Sequence, residues 1–235
     1  YNMNDVDLVY EIDQKMKLMD LARGICHKGH VPYEDFLFPT RYLDGAALTY
    51  MKRLGIVAPN KPRHDEIKQV DLLGAFVKAP NPGRYKWVYD LDLTSLYPSI
   101  IMTLNVSPET KIGKVEDFDG HKYIKNIPMH YSMDKDGWES PEKLRSYLTE
   151  NKYSIAANGV VYDTKQKGFI SSILEKWFAE RVEYKNLRKK YEAEGNEAKA
   201  EYFDRLQLVT KILLNSFYGV LGNPTFRFND PDNAV

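Results

Sequence analysis

The chain has 235 residues, 43% of them hydrophobic, which is enough to bury a core in one large or two small domains. Lys plus Arg number 33 and Asp plus Glu number 33, so bulk charge points to neither nucleic acid nor membrane, and any such binding must be local. The single Cys26 excludes an internal disulfide framework and a zinc cluster of cysteines and suits a reducing, cytosolic setting; no apolar run approaches the roughly 18 residues of a membrane span.

In chain order, the first pattern predicts a helix over 5–24, with Val6, Val9, Ile12, Met16, Met19 and Leu21 at helical spacing and Gly24 as its stop. Residue 1 is Tyr rather than Met and this pattern begins at once, so the chain is expected to be a piece of a longer protein. CHKGH holds Cys26, His27 and His30 but lacks a fourth ligand, and reads as loop chemistry. Residues 41–55 predict a second helix, followed by a loop at Pro59-Asn60-Lys61-Pro62. Strands are predicted in GAFVKAP (74–80) and RYKWVYDLDL (84–93), separated by the turn formers Asn81-Pro82-Gly83. Between 105 and 165 the signal is mixed: turns around 117–120, a short helix near 141–150 and a hairpin at Ala157-Asn158-Gly159. From about 168 to 221 two long helices, broken at Gly195-Asn196, make an antiparallel hairpin that projects from a mixed α/β body.

Within 84–93, strand alternation puts Tyr85, Trp87, Tyr89, Leu91 and Leu93 on one apolar face, expected to pack on the core, and Lys86, Val88, Asp90 and Asp92 on the other. Two neighbouring carboxylates do nothing for a strand's stability. If the chain then curls tightly through Thr94-Ser95-Leu96-Tyr97-Pro98, the N–H groups of Ser95 and Leu96 are left near Asp92. A carboxylate beside backbone donors is what a metal-bound triphosphate requires: the acid holds Mg²⁺ and the amides hold phosphate oxygens.

The second hairpin helix supplies a complement. At 100° per residue Gln207, Lys211, Asn215 and Tyr218 fall within an arc of about 80°, opposite Leu206, Val209, Leu213, Leu214, Phe217, Val220 and Leu221. Gly219 and Gly222 imply a close approach by another group or a helix end. On the first hairpin helix Ile173, Trp177, Tyr184, Leu187 and Tyr191 share one arc, with Arg181, Lys185 and Arg188 beside it. Arg181 and Lys185 are one turn apart, so they can grip one anion together.

DLTSLYPSI and KILLNSFYG closely resemble the first and second polymerase motifs of family B DNA polymerases, in the family's order and about 115 to 120 residues apart. ANGVVYDTKQKGFISSIL leading into ERVEYK is similar to the family's entry into the fingers. GAFVKAPNPGRYK and NVSPETKIG resemble the replicative polymerases of tailed bacteriophages in particular. The fold this implies is a palm, part of an antiparallel sheet with helices, plus a helical-hairpin fingers domain. The implied division is 1–24 as the end of a 3′–5′ exonuclease domain, 25–83 connecting, 84–167 palm, 168–221 fingers and 222–235 a return to the palm.

Carried over position by position, the resemblance implies that Asp92 binds two Mg²⁺ ions with the Leu93 carbonyl as a further ligand. Asp90 is expected to stand by. The Ser95 and Leu96 amides would contact the triphosphate, and Tyr97 would pack under the deoxyribose and exclude a 2′-hydroxyl, which disfavours RNA synthesis. Arg181, Lys185 and Lys211 would clamp the triphosphate, with Lys211 also a general acid toward pyrophosphate. Asn215 would lie near the incoming nucleotide and Tyr218 along the nascent base pair. YNMND is similar to the third exonuclease motif, with Tyr1 orienting water and Asp5 binding metal, two more Mg²⁺ ions belonging to that site. Implied partners are primer–template DNA and dNTPs, with a sliding clamp and other replisome proteins through regions outside the chain. The implied setting, for a phage protein, is the infected host's cytoplasm.

Two departures bound the expectation. The exonuclease acids expected before Tyr1 are absent and the second palm carboxylate would lie beyond Val235, so the 235-residue chain alone is expected to be inactive. A competing reading is a non-catalytic module whose hairpin docks a partner, which accounts for the hairpin and leaves the acid–turn–amide segment unexplained.

Overall fold

Lys17, in the left-handed region at φ 52°, divides the first predicted helix into α1 (Asn2–Met16) and α2 (Leu18–Gly29). The structure, a computed structural model, describes residues 2–63, 65, 77–93 and 95–234. Helix α3 follows at Pro39–Arg53 and α4 at Leu96–Leu104. A small mixed unit comes next: β1 (Lys111–Lys114), α5 (Gly120–Ile124), β2 (Tyr131–Met133), β3 (Asp136–Trp138), α6 (Pro141–Asn151), β4 (Tyr153–Ile155) and β5 (Val160–Asp163). Two 25-residue helices, α7 (Phe169–Ala193) and α8 (Glu197–Leu221), form the predicted hairpin, turned at Gly195 (φ 69°) and capped by Asn196, whose side chain accepts from the Lys199 N–H.

Sheet order is β1-β5-β4, antiparallel throughout, with β2-β3 a separate hairpin. Strand β5 is a wall between two cores, because alternate side chains of a strand point to opposite faces. Val160 and Tyr162 face the main core, which joins α2, α3, α4, α7 and α8 around Leu43, Ile170, Leu174, Leu213 and Phe217. Val161 faces the other way, into a satellite core of Val115, Tyr131, Met133, Trp138, Leu144 and Leu148. This gives residues 105–165 their organisation: they back the hairpin's base.

The same segment fixes where α7 begins. The first N–H groups of a helix have no intrahelical carbonyl. The Asn105 side chain accepts from the Gly168 N–H at 2.9 Å and donates to the Asp163 and Gln166 carbonyls at 2.7 and 2.8 Å. Glu109 accepts from the Phe169 N–H at 2.6 Å, placing a carboxylate at the positive end of α7, and Ser107 donates to it at 2.6 Å. Asn105 directly follows α4, so α4 and α7 are tied at one point.

Two sequence expectations fail here. Gly24 does not stop a helix: α2 runs through it to Gly29, and a Cβ at 24 would stand 2.7 Å from Val209 Cγ2, so glycine lets α2 lie against α8. Residues 84–93 form no strand. Trp87 has φ 61°, which breaks strand alternation, and no described strand pairs with the segment. Tyr85, Trp87, Tyr89, Leu91 and Leu93, expected in the core, are exposed, Leu91 at 93%. Of the other expected strand, 74–76 lie outside the described residues and 77–80 have no regular structure. Helix α1 forms, but none of its residues is buried.

Candidate functional site

Ser95 takes the left-handed conformation (φ 55°, ψ 45°) and caps α4, whose first turn starts at Leu96. That single residue converts the irregular segment ending at Asp92-Leu93 into a helix start, so a carboxylate and a helix N-terminus meet over a few residues. The positive end of α4 favours an anion in front of it.

The hairpin closes the other side. Asp92, Leu93, Ser95, Leu96 and Tyr97 line one cavity of about 640 Å³ with Arg181, Lys211, Asn215, Tyr218 and Gly219. Asp90, two residues away, is not among the lining residues. The polar row of α8 behaves as its spacing predicted for Lys211, Asn215 and Tyr218. Gln207 instead donates to Asp204 at 3.1 Å.

Asp92 shares this gap with the cations, but among the described residues Arg181, Lys185 and Lys211 form no ion pair. Arg181 donates from Nη1 to Ser95 Oγ at 3.3 Å, while its Nε is buried without a partner among the described residues. Burial pulls the Arg181 guanidinium down from its ordinary value. Lys185, one turn along, is pulled down chiefly by the Arg181 charge, then by burial and by Lys189 and Lys211. Mutual repulsion of this kind costs stability until an anion enters. Lys185 itself does not line the cavity, and Arg188 is turned away into ion pairs with Glu192 and Asp204, both at 2.8 Å.

Tyr97 and Tyr218 stack face to face across the cavity, ring centroids 4.4 Å apart and planes 13° from parallel. Tyr218 also donates to the Ala234 carbonyl at 3.1 Å. The site therefore offers a cationic end and an aromatic end. Behind it, Lys28 of α2 pairs with Glu180, donates to Thr210 at 3.1 Å and lies over the Tyr184 ring, bracing the hairpin from its far side.

Gly219, expected to permit a close approach, has nothing within 4 Å of where its Cβ would be; it sits at the cavity's rim. Gly222 does mark a helix end. Sequence reasoning missed the cap of Asn105, Ser107 and Glu109, for which the alternate polar residues of NVSPE were the available signal. Asp5 lies exposed on α1, Tyr1 lies outside the described residues, and among the described residues no group of three or more His, Cys, Asp or Glu forms a metal site. No helix of the described residues is long and apolar enough to cross a membrane.

The sequence profile described as DNA polymerase family B matches residues 43–228. The DNA-directed DNA polymerase of Enterobacteria phage T4 is 28% identical and that of Escherichia phage RB69 27%, each over 100% of this chain and 29% of the relative. A DNA polymerase of Archaeoglobus fulgidus is 31% identical over 77% of this chain and 18% of its own length. The family B DNA polymerase of the hyperthermophilic archaeon Pyrobaculum calidifontis has a similar fold, at TM-score 0.64 and 24% identity, covering 95% of this chain and 25% of that one. The chain thus spans under a third of the length of these relatives.

Proposed function

Since the chain belongs to DNA polymerase family B, we propose that its cavity is the dNTP-binding half of a template-directed polymerase centre. One observation carries the reading. Asp92, the start of α4, Arg181, Lys211, Asn215 and the Tyr97–Tyr218 pair, drawn from two distant segments, line a single cavity. In the proposed division, residues 1–24 end an exonuclease domain, 25–83 connect, 84–167 and 222–235 are palm, and 168–221 are fingers.

The residues fit Mg²⁺. This ion typically takes one or two carboxylates and leaves its other positions to water and substrate phosphates. Asp92 and the Leu93 carbonyl would hold it, and when bound it would neutralise developing charge on the oxygens of the transferring phosphate.

The chain's own groups do the rest. The first amides of α4 and the Arg181 and Lys211 charges orient the triphosphate, with Lys185 adding to the field that draws it in. Arg181, already on Ser95, carries a buried Nε–H free to turn to a phosphate oxygen. Lys211 is the group placed to donate a proton toward the pyrophosphate oxygen that leaves. Asn215 and Tyr218 lie along the nucleotide's base end, and the Tyr97 ring excludes a 2′-hydroxyl. Primer–template DNA supplies sequence selection through pairing, and the protein checks shape. Asp5 is proposed as one ligand of a 3′–5′ exonuclease centre, with Tyr1 beside it. Sliding-clamp contacts would lie outside these residues.

Titrating a dNTP with Mg²⁺ into the chain tests the reading. Lys211→Ala should weaken binding about 10- to 100-fold, the worth of a charge-assisted hydrogen bond. Equal affinity in the variant would return the hairpin to the role of a docking arm.

A further inference from the structure

A second, smaller cavity of about 60 Å³ lies where the end of α2, the second half of α3 and the first turns of α7 meet. Its lining includes Lys28, His30, Arg53 and Lys176 over a floor containing Trp177, with Tyr50 at the side, and no carboxylate. Lys28 is neutralised by Glu180. Arg53 and Lys176 are not: among the described residues neither has an ion-pair or hydrogen-bond partner, although ion pairs elsewhere on α7 engage Glu175, Glu180 and Glu192. Two unopposed cations, both exposed, around a pocket too small for a nucleoside suit a single phosphate group.

Where that phosphate comes from follows from α3. The start of this helix, Phe38, Pro39 and Thr40, lines a groove of about 360 Å³ with Ser216, Val220 and Gly219, and Gly219 is also on the rim of the nucleotide cavity. The far end of α3, Tyr50 and Arg53, lines the cationic pocket. The helix is about 22 Å long, a distance a few nucleotides span and within the about 4–16 nucleotides a single-strand groove covers. The groove beside the nucleotide cavity and the pocket with its two unpaired cations thus lie at the two ends of one helix, and cations that track a backbone are one part of what holds a single strand.

We infer that the Arg53–Lys176 pocket grips one backbone phosphate of the single-stranded template before it reaches the nucleotide cavity. The template assignment rests on the polymerase reading, whereas the phosphate grip does not. The pocket adds affinity without base selectivity, because phosphate contacts carry no sequence information.

The test is fluorescence anisotropy of a labelled 12-nucleotide oligo-dT with the chain and with the exposed double variant R53E/K176E. Lys125→Glu/Lys135→Glu, on the satellite unit, is the charge-matched control. The expected result is about tenfold weaker binding in R53E/K176E, and a slope of log affinity against log salt shallower by about 0.7 per lost phosphate contact. The control should stay near the parent, and dNTP affinity should be unchanged in both variants. Equal weakening in the two double variants would overturn the site, as would unchanged binding in R53E/K176E. Parent chain that takes inorganic phosphate as tightly as oligo-dT, with R53E/K176E losing both, would overturn the strand and leave a free-anion site. Loss of dNTP binding by Lys211→Ala is read separately, so failure of the polymerase reading and failure of this pocket give different patterns.

Discussion

Residues 84–93 and helix α8 carry the same kind of sequence signal, an apolar side and a polar side, yet only α8 becomes a regular element that buries its apolar side. A helix closes its own backbone hydrogen bonds within four residues, whereas a strand needs a neighbour to supply them. Segment 84–93 has no described neighbour, and Trp87 leaves the extended region altogether. An alternating pattern therefore states what a segment can do in a sheet; a helical pattern states much more of what it will do.

The sharpest way to break this comparison uses the end of the irregular segment. Asp92→Ala in the full-length protein should lower primer extension by about 10³-fold or more, while Asp90→Ala leaves it within about twofold. The reverse order would mean that the cavity has been assigned to the wrong acid.

Stability separates the two regions next. Phe217 of α8 is fully buried, and Phe217→Ala should cost about 3–5 kcal/mol in denaturant unfolding. Trp87→Ala, at a ring 89% exposed, should cost less than about 0.5 kcal/mol. A large Trp87 effect would show that 84–93 packs in solution as its alternation predicted.

Gly24→Ala probes the contact that the sequence misread as a helix stop. The added methyl meets Val209 at 2.7 Å, so melting should report a loss of about 1–3 kcal/mol. If alanine stabilised the chain, as propensity alone predicts for an open helix position, the α2–α8 contact would be refuted.

The smallest effect concerns the C-terminal segment. The hydrogen bonds from Lys111 and Lys114 hold the Asp232 carboxyl below its ordinary value. A depressed folded-state value means that the unfolded chain binds the proton more readily, so this stabilisation is present above the ordinary carboxylate range and is lost as pH falls through the folded value. Asp232→Asn should therefore melt below the parent at pH 7, with the gap closing as pH falls below the ordinary carboxylate range.

Much of the candidate site was legible because it lies on a helix and at a helix start. Lys211, Asn215 and Tyr218 face one cavity because their spacing requires it, and Ser95 turns the chain where a turn was expected. Lys185 and Arg188 shared the arc beside Arg181, but their fates depended on partners: Arg188 found Glu192 and Asp204, and Lys185 stayed outside the lining.

The sequence by itself determined the elements whose bonds are local: the α7–α8 hairpin with its break at Gly195, the helix α6, the β4–β5 hairpin and the polar row of α8. Only the tertiary structure decided that Asp92 and Lys211 line one cavity, that β5 divides two cores, that Gly24 touches Val209 and that Asn105 and Glu109 hold the first turn of α7. The reason is range. Helical bonds and turn conformations are fixed by residues a few places apart, whereas a cavity, a cap from another segment and a packed glycine depend on side chains that come together only when the whole chain has found its core.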